Sequence, residues 1–177
     1  SSQLDLVQSE TNEAIKSYVS QVNTLASQLA QVNQQMTKQQ KAETQPPDLL
    51  DQRDVLLKDL SSYAKIKTFF SENGSVSVSL GPSMSRDVVV DGIKSFMLGT
   101  DFNSASPEKV SLVLDPYGSA TPLTGLSGGK LSGIMSFREQ VLGSSRSSLD
   151  TLASNFVKEV NAIHTAGIDA YGNTGTA

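Results

Sequence analysis

The sequence predicts an α+β fold: an elongated antiparallel helical bundle with coiled-coil-like seams and a small antiparallel β insert. Three observations predict it. No glycine occurs in residues 1–73, and glycines then follow at 74, 81, 92, 99, 118, 125, 128, 129 and 133. Pro82, Pro107, Pro116 and Pro122 fall in the same stretch, so the residue types that turns need are confined to the middle of the chain. Apolar residues recur at helical spacing on either side of that stretch and alternate singly within it. The expected division is a discontinuous helical framework over 1–65 and 127–166 and a β-rich insert with a hairpin over 66–126. Residues 167–177 are expected to be a turn or linker leading to a C-terminal part beyond this chain.

The first helix is expected over about 4–40. Ile15, Tyr18, Val22, Leu25, Leu29, Val32 and Met36 step by three and four alternately, the 3.5-residue period of a coiled-coil seam. Such a stripe is either an ordinary core face or a seam completed by another subunit. At ~1.5 Å per residue the helix would be about 55 Å long, which makes the molecule elongated.

Pro46-Pro47-Asp48 then starts a second helix that runs to about residue 64, with Asp48 expected as its N-cap and Asp51 in its first turn. Arg53 has Leu49, Leu50, Leu56 and Leu57 three and four positions away, so no carboxylate lies within that helical reach. The pattern recurs after Gly128-Gly129, where Arg138 is flanked by Ile134, Met135, Val141 and Leu142. A guanidinium set into an apolar stripe must snorkel or find an acceptor on another element. Both arginines are therefore expected to hold a tertiary acceptor, as an ion pair or carbonyl clamp or as an interface contact. The helix carrying Arg138 is expected to bend at Gly143 and continue to about residue 166. Leu149, Ala153, Phe156, Val160 and Ile163 give it a second seam, long enough to lie against the first helix.

Between the helices, Ile66, Thr68 and Phe70 alternate, Asn73-Gly74 supplies the turn, and Val76, Val78 and Leu80 alternate again, which predicts a hairpin. Asn73-Gly74-Ser75 also fits a glycosylation sequon, but turn chemistry accounts for it. Residues 87–92 and 110–115 read as further short strands of one small sheet.

Composition excludes several chemistries. The 177 residues include no Cys and one His, and the 14 basic residues are scattered among 18 acidic ones for a net charge of −4. Thiol nucleophiles, disulfides and cysteine metal sites are absent, and nothing suggests a nucleic-acid surface. No strongly apolar run exceeds three residues, so no membrane insertion is expected. His164, alone near the end of the last helix, reads as a packed or exposed helix-end residue rather than a metal ligand. Gly128-Gly129-Lys130-Leu131 has Thr at 124 and Leu at 131 where a phosphate loop needs Gly and a hydroxyl. Residues 169–173 lack the ligand pattern of a calcium loop and read as a turn. No nucleophile elbow occurs, and no carboxylate pair stands out among the acidic residues. No catalytic, cofactor-binding or metal-binding residue is expected.

Several stretches carry a resemblance: Pro47-Asp48-Leu49-Leu50-Asp51-Gln52-Arg53-Asp54, the hairpin after it, residues 129–138, and Phe156 through Asn161-Ala162-Ile163-His164 to Gly167. They resemble the flagellar hook-associated protein 1 family, the LLDQRD block most specifically. Residues 84–126 carry no part of it. The resemblance implies a non-enzymatic structural subunit that joins the bacterial hook to the filament by self-assembly, secreted through the flagellar channel and located in the extracellular flagellum. Its implied partners are neighbouring copies of itself, hook subunits, the second junction protein on the filament side and an export chaperone on the full-length protein. In that family the terminal segments form an inner coiled coil, so this chain, which begins at Ser1 rather than Met, looks like the part just outside them. Arg53 and Arg138 fall inside the matching stretches. With Leu49, Leu50, Leu57, Phe137 and Phe156 they are expected to lock helix packing. Two other classes fit the composition: another secreted helical axial or interaction protein, and a peptidoglycan hydrolase, which would require two carboxylates facing a cleft.

Overall fold

The computed structural model describes residues 2–115, 120–144 and 149–166, with the side chains of 149–150 and 163–166 outside the description. The expectations placed on Leu149, Ile163, His164 and residues 167–177 lie outside the described residues.

Helix α1 (Ser2–Met36) is 35 residues long, about 52 Å at the helical rise. It buries Val7, Thr11, Ile15, Val19, Val22, Ala26, Leu29, Ala30, Val32, Asn33 and Met36. The expected seam is thereby corrected at two places. Val19 and Ala26 are buried, whereas Tyr18 and Leu25 are half-buried. The pairs Leu29-Ala30 and Val32-Asn33 are buried together because α1 is covered by helices on one side and by strands on another. Its buried stripe is therefore wider than a two-helix seam, with the period of a straight helix rather than a supercoil.

Helix α2 (Pro47–Tyr63) begins at Pro47, with Pro46 in the capping position and no side-chain cap, so the Asp48 N-cap is corrected. Proline at the first helical position has no N–H to leave unpaired and a dihedral already set for the helix, and Asp48 sits in the first turn instead. Helix α3 (Gly129–Gly143) and helix α4 (Leu149–Ala166) follow the insert. Helices α2 and α3 lie end to end along α1 and antiparallel to it. Leu49 clusters with Met36, the Tyr63 ring lies 5.7 Å from Tyr18, and Arg138 reaches Gln8 and Thr11. Helix α4 packs mainly on α3, not along α1, where the second seam was expected to lie.

The joint between α2 and α3 explains the double glycine. Gly128 and Gly129 have φ of 66° and 70°, and a Cβ at Gly129 would overlap the Tyr63 carbonyl and the Ala64 nitrogen. Lys65 N donates to Ser127 O at 2.8 Å across the same joint. Only glycine allows both the dihedral and the approach.

The insert forms two sheets rather than the single one expected. The first is antiparallel in the order β1 (Lys67–Phe70), β2 (Val76–Ser79), β3 (Val88–Asp91) and β4 (Lys94–Ser95). The second pairs β5 (Leu98–Phe102), β6 (Val110–Leu114) and β7 (Thr121–Pro122). The ladder cannot run on from the first sheet into β5, because the Leu98 amide and carbonyl are taken by the side chain of Asn23. Val76, Val78, Leu80, Val89, Val90, Leu98, Leu112 and Leu114 join residues of α1, α2 and α3 in one core.

Candidate functional site

Three sets of polar contacts fasten other segments to α1 or to its ends, apart from the buried Asp87, which is held within its own loop by Ser83 N and Arg86. At the Met36 end, Arg53 has the tertiary acceptor expected of it. Its Nη1 donates to the Gly74 carbonyl of the hairpin turn at 2.8 Å, and its guanidinium lies over the Phe70 ring, 5.0 Å from the centroid. It also pairs with Asp54, the next residue, at 2.9 Å, a carboxylate outside the spacing of three and four. Leu49 is buried with Val32 and Met36, Leu50 and Leu56 cover that cluster, and Leu57 packs half-buried on the main core.

At the other end, Arg138 is 1% exposed. Its Nη1 donates to Thr11 Oγ1 at 2.7 Å and to the Gln8 carbonyl at 3.2 Å, and the Thr11 hydroxyl in turn donates a hydrogen bond to Val7 O at 2.7 Å. Its guanidinium is 5.6 Å from the Phe102 centroid, and its Nε is buried without a partner. Burial pulls its pKa below the usual arginine value, with Glu108 opposing that shift. Phe137 stacks on Phe156 at 4.3 Å and 19° and so joins α3 to α4. The two arginines thus serve opposite ends of α1, and the structure does not bring them together.

The third cluster has no counterpart in the sequence reading. Asn33, fully buried, donates through Nδ2 to Val76 O at 2.8 Å and to Gly92 O at 2.6 Å, and accepts from Val76 N at 2.9 Å. Ten positions earlier, Asn23 makes the same two-way pair with Leu98, at 2.9 Å to its carbonyl and 2.8 Å from its amide. Gln45 Nε2 bridges Met36 O and Asn73 O at 2.6 and 2.8 Å, tying the end of α1 to the hairpin turn. A carboxamide has the donor and acceptor of a peptide group, so one Asn on a helix can stand in for a missing strand neighbour. The available signal was spacing. Asn33 lies four after Leu29 and three before Met36, in the same kind of apolar stripe that singled out the arginines.

Two open grooves flank α1. One, of about 940 Å³, lies between α1 and the segment 95–100. The other, of about 630 Å³, lies between α1 and α2 and is lined by Gln28, Gln31, Val32, Gln35, Asp48, Asp51, Gln52, Val55 and Leu56. Among the described residues no group of three or more His, Cys, Asp or Glu could hold a metal, and no helix is long and apolar enough to cross a membrane. Hydrogen-bonded clamps between helix and strand can transmit load and fix orientation; the described clusters offer no nucleophile paired with a base.

Comparison with known proteins agrees with that architecture. The family described as "Flagellar hook-associated protein FlgK helical domain" matches residues 1–177. Flagellar hook-associated protein 1 of Salmonella typhimurium is 33% identical over 171 residues, which cover 94% of this chain and 30% of that protein. The Escherichia coli protein of the same name is 32% identical, covering 94% and 31%. The solved structure titled as the flagellar hook junction protein FlgK from Burkholderia pseudomallei superposes with a TM-score of 0.68 at 30% identity, covering 99% of this chain and 32% of that one. The chain therefore spans about a third of the length of the relatives it matches.

Proposed function

The chain belongs to the FlgK helical-domain family, and we propose that it is the helical segment of a structural flagellar subunit that connects hook to filament by self-assembly, without catalysis. The family match over the whole chain is the observation that carries this reading. The geometry supports it: one long helix packs along α2 and is fastened to α3 and to both sheets by side-chain-to-backbone bonds, a construction suited to bearing load. The subunit is secreted and resides in the extracellular flagellum. It meets neighbouring copies of itself, hook subunits and the second junction protein, and is accompanied before export by a chaperone. Arg53, Arg138, Leu49, Leu50, Leu57, Phe137 and Phe156 serve as packing locks of the framework.

The test uses the complete protein and hooks isolated from cells that lack it. Added protein should bind the hook tips and restore their capacity to carry filaments. Hooks that carry filaments equally without it would contradict the reading. So would hydrolysis of cell-wall polymer that is lost on Asp48→Asn or Asp51→Asn, the two carboxylates of the α1–α2 groove.

A further inference from the structure

Among the described residues, the exposed large aromatics, Phe69 and Phe70, lie on the insert. In β1, Thr68 and Phe70 pair with Val78 and Val76, which are buried against α1, so Lys67 and Phe69 point to the opposite, outer face of the sheet. Phe69 is 65% exposed. Elsewhere, the α1–α2 groove has an apolar floor of Val32, Val55 and Leu56 and carries Asp48 and Asp51, with no basic residue among its lining. Val55 is 57% exposed there.

The two surfaces face different ways. Arg53 reaches the hairpin from α2 and Asn33 reaches the sheet from α1, whereas Val55 and Gln31, each two residues away, line the groove. Two residues along an α-helix are about 200° apart. No chain can therefore bring its own Phe69 to its own groove. An aromatic beside a cation on one side, and an apolar floor beside two carboxylates on the other, form a complementary pair that copies of the chain can join head to tail. Contacts of that kind propagate into rings or helical arrays instead of closing as twofold dimers.

We propose that the outer sheet face of one copy docks in the α1–α2 groove of the next, with Phe69 on the Val32-Val55-Leu56 floor and Lys67 beside Asp48 and Asp51. This rests on the self-assembling role above and names the contact. Aromatic burial supplies the anchor, and the charge pairs orient it and weaken with salt.

No cysteine occurs among these 177 residues, so once any cysteine elsewhere in the complete protein is replaced by serine the test is direct. Ser71→Cys and Gln52→Cys, both at exposed positions, are placed in separate preparations of the complete protein, mixed, and treated with a short bis-maleimide. The mixture should yield cross-linked dimer at least tenfold faster than Ser71→Cys mixed with Glu13→Cys. Phe69→Ser or Lys67→Asp beside Ser71→Cys should abolish that excess, and Asp51→Lys beside Gln52→Cys should restore it against Lys67→Asp. Equal rates in the two mixtures, or an excess indifferent to the charge reversal, would overturn the contact. Filaments attached normally in cells whose protein shows no such cross-link would overturn the contact and leave the junction role standing. Filaments attached with the gene deleted would overturn the role itself.

Discussion

Asn33 grips Val76 from both sides, donating to its carbonyl at 2.8 Å and accepting from its amide at 2.9 Å, so a helix side chain completes the hydrogen bonding of a strand. Asn33→Ala leaves the buried amide and carbonyl of Val76 and the part-buried carbonyl of Gly92 to find new partners, each buried group worth roughly 1–3 kcal/mol if none is found. The expected loss is about 3 kcal/mol in urea unfolding. Asn33→Asp should cost more, because a carboxylate would face the carbonyls of Val76 and Gly92. Asn23→Ala, at a partly buried site, should cost about 1 kcal/mol. Equal losses at the two sites would contradict the assignment.

Arg138 is a buried cation held by a hydroxyl and a carbonyl, with one nitrogen unpartnered. Replacing such a charge with an apolar side chain of similar volume is often neutral, whereas truncating it opens a cavity. Arg138→Met should therefore lie within about 1 kcal/mol of the parent, and Arg138→Ala should lose about 3 kcal/mol. A loss on Arg138→Met as large as on Arg138→Ala would show that the charge itself stabilises the fold.

Gly129 and Gly133 make a matched pair. Gly129→Ala would drive a Cβ into the backbone at Tyr63 and Ala64, at a φ that alanine disfavours, and should cost more than about 3 kcal/mol or prevent folding. Gly133→Ala, inside α3 with nothing near its Cβ position, should raise stability by about 0.5–1 kcal/mol. Thermal melts of the two variants check both signs.

Tyr18 and Tyr63, 5.7 Å apart, have pKa values raised by burial, and Tyr63 is raised further by Tyr18 and Asp59. The folded state thus holds these protons more tightly than the unfolded chain. Their contribution is fully present below the unfolded tyrosine pKa near 10 and is lost as pH rises through the folded values. Stability should fall above about pH 10, and Tyr18→Phe with Tyr63→Phe should flatten that fall in pH-dependent melts.

What the sequence discloses follows from how local each signal is. The helices are legible because their apolar spacing, Pro46-Pro47 and Gly128-Gly129 act within a few residues of themselves. The hairpin is legible because Asn73-Gly74 specifies its turn. Strands β4, β5 and β7 are not, since two of them are two residues long and β5 carries Gly99 and Asp101 on exposed backbone. The split into two sheets depends on Asn23 meeting Leu98 across 75 positions, which no local pattern records. Arg53 and Arg138 could be singled out because a charge in an apolar stripe is conspicuous. Asn33 in the same kind of stripe is masked by the glutamines around it.

The central claim, that this chain belongs to a subunit joining hook to filament, is tested most directly by electron microscopy of flagella from cells lacking the gene. The account predicts complete hooks that end bare, with filament restored by the intact gene. Filaments of normal length on those hooks would contradict it.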